Sequence, residues 1–251
     1  MPTTPASPEP PRPRDRLRLS VVIPVLNEAA EVQAALISLD RLRQAAAGVA
    51  FGGGIELVVA DGGSTDATAA LCQGLADQVI DAPRGRARQM NAGAAATCGE
   101  VLLFLHVDTR LPADAFEAIA QAVAEPSGPA WGRFDVSIVG QSPWFPVIAT
   151  MMNWRSALSG IATGDQALFL RREAFEALGG FPDQPLMEDI ELCKRARRLG
   201  LGRPRRLRLR VATSGRRWEA RGVWSTIWLM WRLRWRYWRG ASPEQLARAY
   251  R

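Results

Sequence analysis

The sequence predicts an α/β fold: a mainly parallel sheet flanked by helices. Three observations predict it. Short, unbroken apolar runs alternate with stretches of helical periodicity through the first half of the chain. The runs are continuous rather than alternating, as in parallel strands buried on both faces. Polar residues of chemical interest follow the runs directly, at the strand ends where open α/β sheets place their ligands. A chain of 251 residues with 47% hydrophobic content can bury one sizeable core, and nothing repeats at a fixed period.

Taken in order, residues 19–25 are a β-branched run, and 28–47 carry apolar side chains at helical spacing. A second run, 55–60, ends in the turn-forming Asp61-Gly62-Gly63-Ser64, with Ser64 or Thr65 placed to cap the next helix. Residues 78–81 read as a short strand, 86–97 as a helix, 101–105 as a third buried strand, and 112–124 as a helix with proline near its start. Past Pro126 the pattern changes. Residues 131–139 and 166–170 read as strands; 142–159 as a loop and helix; 173–178, 189–199 and 223–239 as helices.

Charge is divided along the chain. Residues 1–193 hold 14 Lys and Arg against 23 Asp and Glu, whereas 194–251 hold 18 against 2, within a net charge of +7. Such asymmetry points to a polyanionic partner for the last quarter, although arginine-rich composition can also be a general habit of a genome. The leader, 1–18, is rich in proline and arginine and lacks the apolar stretch of a secretory signal, so it reads as disordered. No stretch reaches the roughly 18 uncharged apolar residues of a spanning helix. Cys72, Cys98 and Cys193 are scattered and odd in number, as suits free thiols. A cytoplasmic protein is expected.

Four clusters can carry chemistry. In Asp61-Gly-Gly-Ser64-Thr65-Asp66, a strand-end carboxylate can accept a pyrimidine imide N–H while glycines admit a ligand close to the backbone; a capped βα turn looks much the same. In His106-Val107-Asp108, two potential ligands at i and i+2 of an extended segment share a side and could hold Mg²⁺ or Mn²⁺ with a diphosphate. The bland alternative is a capping aspartate beside a packed histidine. Glu188-Asp189 opens a helix, where the pair could cap it or supply a general base. Arg84-Gly-Arg86-Ala-Arg88 and Arg216-Arg217-Trp218 could neutralise a leaving diphosphate or form solvated faces.

These motifs, in this order, resemble family 2 glycosyltransferases of the GT-A, Rossmann-like nucleotide-diphospho-sugar transferase fold. The resemblance runs from about Leu19 to Trp218. It rests on Ile23-Pro24-Val25-Leu26-Asn27-Glu28, the Asp61–Asp66 turn, Arg88-Gln-Met-Asn91-Ala-Gly93, His106-Val107-Asp108, Gly164-Asp165-Gln166 and Glu188-Asp189. The stretches Leu105-His106-Val107-Asp108-Thr109 and Ser214-Gly-Arg216-Arg217-Trp218 are similar to the radical-SAM/selenodomain-associated transferase 2 subgroup. The resemblance implies an inverting transfer of a sugar from a nucleotide-diphosphate donor, a UDP-sugar, to an unidentified acceptor, either lipid-linked or a small molecule. Pro24, Asn27 or Glu28, and Asp61 with Gly62 and Ser64 would line the nucleoside, and Arg88 would lie near the diphosphate. Asp108 would be the direct ligand of a divalent cation, Mg²⁺ or Mn²⁺, and Asp189 the catalytic base beside Glu188. Asp165 would sit on the acceptor side, with Arg216, Arg217 and Trp218 at the diphosphate or acceptor. His106 departs from the family, which usually has there the first aspartate of a DXD motif facing the ribose or the metal.

By this reading 19–218 form the catalytic domain, and 219–251 a Trp/Arg-rich amphipathic helix and tail. Trp224, Trp228, Trp231, Trp235 and Trp238 form one helical stripe flanked by Arg232, Arg234, Arg236 and Arg239. The stripe either packs onto the catalytic domain or rests on an anionic membrane surface, which would place the protein peripherally on the inner face of the membrane. Two other classes compete. A sugar nucleotidyltransferase would want a glycine-rich loop with a lysine after the first strand, but Pro24-Val-Leu-Asn27 stands there and the chain's one lysine is Lys194. A nucleic-acid binder could use the basic quarter, but the acidic remainder with its ordered carboxylate motifs argues against it.

Overall fold

The computed structural model describes residues 17–124 and 128–250, so the expected leader lies, but for Leu17 and Arg18, outside the described residues. Strands β1 (Leu19–Val25), β2 (Ile55–Asp61), β3 (Gln78–Asp81) and β4 (Val101–Phe104) pair in parallel, with β1 between β2 and β4. Their side chains alternate between two cores. Val21, Ile23, Leu57 and Leu103 face α1 (Val32–Ala45), α2 (Thr68–Cys72) and α4 (Ala115–Val123). Val22, Leu102 and Phe104 face α3 (Arg86–Ala95), α6 (Arg172–Ala177) and α7 (Glu188–Arg198). Burial on both faces is why these strands read as unbroken apolar runs. Gly93 lets α3 lie against β1, since a Cβ there would fall 2.3 Å from Val22 Cγ1.

Beyond β4 the sheet becomes mixed. Strands β5 (Thr109–Arg110), β6 (Trp131–Val139), β7 (Leu168–Arg171) and β8 (Arg205–Ser214) complete the order β3-β2-β1-β4-β7-β6-β8-β5. β7 runs antiparallel to β4 and β6, and β8 lies parallel to β6 and antiparallel to β5. The sequence reading assigns no element to 205–214. Its alternation is nonetheless that of a half-exposed strand: Arg206, Arg208 and Arg210 point to solvent, while Leu207, Leu209 and Val211 pack inward. The cap expected at Ser64 or Thr65 is also corrected. α2 begins at Thr68, whose amide donates to Asp66 Oδ1 at 2.9 Å, while the Ser64 hydroxyl donates to Asp61.

α5 (Phe145–Ser159) docks on β6 through Asn153, whose side chain accepts from Val136 N at 2.8 Å and donates to Val136 O at 2.9 Å. Nearby, where the β6–β8 register shifts between Phe134 and Asp135, Arg133 is buried and pairs with Asp135 at 2.6 Å. Asp135 also receives Arg206 of β8 at 2.6 Å, and the two arginines hold its carboxyl below the usual range despite the opposing effect of burial. At the C-terminus, α8 (Arg216–Arg221) adjoins α9 (Val223–Trp238), and α9 and α10 (Pro243–Tyr250) pack on α7, with Leu233 and Leu246 buried against Met187 and Ile190. Among the described residues no helix is long and apolar enough to cross a membrane. Asp135→Ala strands a buried guanidinium and should cost about 3–5 kcal/mol in urea unfolding, whereas Arg133→Met combined with Asp135→Leu should recover most of that loss.

Candidate active site

A cleft of about 670 Å³ opens beyond the C-terminal ends of β1 and β4, lined by Pro24, Glu28, Arg84, Arg86, Gln89, His106, Asp108, Asp165, Glu188, Arg216, Arg217, Trp218 and Tyr250 among others. The strand ends are tied together from below. Gln89 of α3 donates to Val25 O at 2.6 Å and to Ala60 O at 3.0 Å, bridging the ends of β1 and β2, while Val25 O also accepts from Gly62 N at 3.0 Å. Its approach requires glycine at 62, where a Cβ would fall 2.9 Å from the Gln89 amide carbon. Asn27 takes a left-handed conformation (φ 56°); its amide donates to Ser64 Oγ at 2.9 Å and its side chain accepts from Thr65 N at 2.8 Å. Asp61 is buried and accepts from the Ser64 amide and hydroxyl. Asn27, Asp61, Gly62 and Ser64 thus form a clamp at the cleft's end, not its wall.

Residues 106–109 form a β-turn, closed by Thr109 N donating to His106 O at 3.0 Å. The extended geometry expected for His106 and Asp108 is therefore corrected, and the two side chains take different surroundings. The His106 ring lies against Gly164, where a Cβ would fall 2.4 Å from Cε1. Its Nδ1 is 3.6 Å from Asp165 Oδ1, and its Nε2 is buried without a hydrogen-bond partner. Asp108 faces the cleft with a single weak side-chain contact, from Thr109 Oγ1 at 3.4 Å. After this turn β5 pairs with the end of β8, and Ser214 N donates to Asp108 O at 3.2 Å. That pairing carries Arg216, Arg217 and Trp218 to the cleft. Glu31 holds Arg216 at 2.9 Å, while Arg217 donates to the Tyr250 hydroxyl.

The carboxylates opposite come from two other segments. Gly164–Gln166 is a turn of 3₁₀ helix closed by a capping box from Thr163, and Asp165 projects from it into the cleft. α7 starts immediately after Met187, which is left-handed (φ 67°), and presents Glu188 to the cleft. Asp189 lines a small adjoining cavity that shares Arg86, His106 and Glu188 with the cleft, and its Oδ2 accepts from Gly164 N at 3.1 Å. Arg88 is corrected in position: its guanidinium closes on Asp183 at 2.6 and 2.9 Å, away from the cleft, and Arg86 takes the inward place.

Electrostatics distinguish the acids. Burial raises the Glu28 carboxyl, as does the charge of Asp108, against the pull of Arg216. Burial and the adjacent Asp189 charge raise Glu188, only partly offset by Arg86 at 3.4 Å. Burial would raise Asp165 too, but its neighbour His106, with Arg86 and Arg217, holds it at about 2. Among the described residues no three His, Cys, Asp or Glu side chains cluster closely enough to hold a metal alone. Sequence reasoning missed Gln89, though it stands inside the quoted 88–93 motif, and Tyr250, for which the sequence carries no signal.

The glycosyl transferase family 2 pattern matches residues 20–179. No curated protein sequence matches the chain at a significant level. Among solved structures, the chain is similar to the mannosyltransferase PcManGT from Pyrobaculum calidifontis in complex with GDP-Man and Mn²⁺ (21% identity, TM-score 0.60, 96% of this chain and 71% of that one). It is also similar to glucosyl-3-phosphoglycerate synthase from Mycobacterium tuberculosis in complex with Mn²⁺, UDP-Glc and phosphoglyceric acid (20% identity, TM-score 0.59, 84% and 78%). TarS 1–349 from S. aureus, in complex with UDP-GlcNAc, matches at 18% identity and TM-score 0.59, over 79% of this chain and 58% of that one. At these identities the structures share the fold. The pattern covering more than half of the chain decides membership: this protein is a glycosyltransferase of family 2.

Proposed function

We propose that the protein transfers a sugar, with inversion, from a uridine-diphosphate donor to an acceptor hydroxyl or phosphate. The observation that carries this reading is the convergence of Asp108, Asp165 and Glu188 with Arg86, Arg216 and Arg217 on one cleft at the strand ends. Carboxylates and guanidiniums together suit a diphosphate: the arginines meet its oxygens directly, and Asp108 meets them through a divalent cation. UDP-sugars in two of the related complexes favour uridine, and Mn²⁺ in two favours the cation.

The residues fit Mg²⁺ or Mn²⁺. Asp108 offers a carboxylate with little competing contact, and Glu28 adds negative charge beside it. A hard cation that keeps water and phosphate oxygens as most of its ligands needs no closed protein cage. When bound, it would stabilise the charge that develops on the departing nucleotide diphosphate. The clamp of Asn27, Asp61 and Ser64 would set the floor for the base beside Pro24. The 19–218 part of the chain would do this work, with 219–251 as an appended helical tail that also closes the cleft through Tyr250.

Asp189 serves as the general base in this reading. Gly164 N and Ile190 N donate to its carboxylate, which lines a small cavity with His106 and Glu188 beside the cleft. Asp165, ionised throughout the working range, orients His106 and marks the acceptor side. Glu188, its carboxyl raised, tempers the negative charge around Asp189 by holding a proton more readily than an exposed glutamate.

Asp189→Asn should lower turnover by about 10²–10⁴-fold in a nucleotide-release assay while UDP with Mn²⁺ still raises the melting temperature; normal turnover would remove the assignment. Asp108→Ala should abolish the Mn²⁺-dependent part of that thermal shift, leaving the smaller shift with UDP alone. Arg86→Met removes the charge opposing the rise at Glu188. A carboxyl raised on folding loses stability as pH rises through its folded value, so the melting deficit of this variant should be larger at pH 8 than at pH 5.

A further inference from the structure

We propose that α5 and α9 together form a flat docking face for an anionic bilayer. The tryptophan stripe of α9 does not pack on the protein: Trp224, Trp228, Trp231, Trp235 and Trp238 are each more than half exposed, while Leu233 and Thr226 take the buried side. A second stripe, with no precedent in the sequence reading, lies on α5 and its N-cap. Trp144, Val147, Met151, Trp154 and Leu158 are also exposed and recur at spacings of 3, 4, 3 and 4. Ten of the fourteen exposed large hydrophobic side chains among the described residues belong to these two stripes. The stripes meet at one end, where the Trp144 and Trp224 rings pack edge to face at 5.1 Å.

Charge selects the occupant. Neither helix contains an aspartate or glutamate, whereas α9 carries Arg232 and Arg236 and is followed by Arg239; Arg155 of α5 and Arg234 of α9 instead bury their guanidiniums away from the stripes. Arg232 lies over the Trp228 ring at 5.0 Å and Arg239 over Trp235 at 5.3 Å, which sets guanidiniums at the level of the indoles. Self-association about a two-fold axis would bring such a patch against its own copy, arginine facing arginine with no acid between. A surface of lipid phosphates supplies the missing anions, and the headgroup boundary is where indole rings partition. Each stripe extends about 20 Å along its helix, too short to span but suited to lying in the interface plane.

The test is co-sedimentation of the full chain with vesicles of phosphatidylcholine, with and without phosphatidylglycerol, together with tryptophan quenching by brominated lipid. The wild type should bind the anionic vesicles with a blue-shifted, quenched emission, and bind phosphatidylcholine alone far more weakly. Met151→Ser with Trp154→Ser on α5, and Trp231→Ser with Trp235→Ser on α9, should each weaken partitioning by about tenfold or more. All four side chains are exposed, so melting temperatures should not change. Absence of binding to anionic vesicles overturns the proposal, as does an α5 variant that binds like the wild type. So does a wild-type dimer in ultracentrifugation that these substitutions dissolve without any vesicle binding, since a second copy would then cover the face. None of these readouts depends on sugar transfer.

Discussion

Parallel strands that end at the same edge leave carbonyls and amides without ladder partners, and the active cleft is built on how those groups are satisfied. A buried backbone group left unpaired costs about 1–3 kcal/mol, so the ends of β1 and β2 cannot simply stop. Gln89 receives the carbonyls of Val25 and Ala60, and Asn27, Ser64 and Asp61 form a closed hydrogen-bonded ring above them. The network fixes the positions of Pro24, Glu28 and the turn after β4 relative to one another. The residues expected to line the nucleoside are thus also the ones that hold these loops together.

The second half of the chain closes the site from the far side of the sheet. Antiparallel β7 returns the chain beside β4, so Gly164–Gln166 arrives next to His106, and β8 ends against β5 beside Asp108. Among the described residues three non-glycine positions adopt left-handed backbone, and each borders a site segment: Asn27 after β1, Ala167 after the 3₁₀ turn and Met187 before α7. Such conformations persist where surrounding contacts over-determine them, and they concentrate at functional sites. Here they aim Glu28, Asp165 and Glu188 inward from three loops.

The C-terminal helices have two unlike faces. Inward, Leu233 seats on α7 and Tyr237 donates to Glu191 at 3.0 Å, bracing the helix whose first residues are Glu188 and Asp189. Outward, the tryptophans stay exposed, meeting only the Trp144 ring at one end and the flanking Arg232 and Arg239 among the aromatic and cation–π contacts of the described residues. Whatever engages the outer face is thus joined through α9 to the start of α7, where Glu188 and Asp189 stand. The acidic first turn and basic last turn of α7 further agree with its dipole, so the carboxylates sit where a helix favours them even as burial disfavours their charge.

Local pattern alone determined the parallel half of the fold. Continuous apolar runs at 19–25, 55–60 and 101–105 could bury only as inner strands, and the segments between them had helical periodicity, so β1, β2, β4 and their helices were legible. The order of the polar motifs along those strands likewise located the cleft's edge before any coordinates. What tertiary structure decided is which side chain of each motif faces inward. At about 100° per residue, Arg86 and Arg88 point to nearly opposite sides of α3, and only the packing of α3 on β1 selects Arg86. Glu188 and Asp189 part for the same reason, and the turn at 106–109 separates His106 from Asp108. β8 escaped notice because its arginines masked a period of two, and α10 because nothing local says that Tyr250 will cross to Arg217. Periodicity records what a segment buries; the partner it buries against is a property of the whole chain.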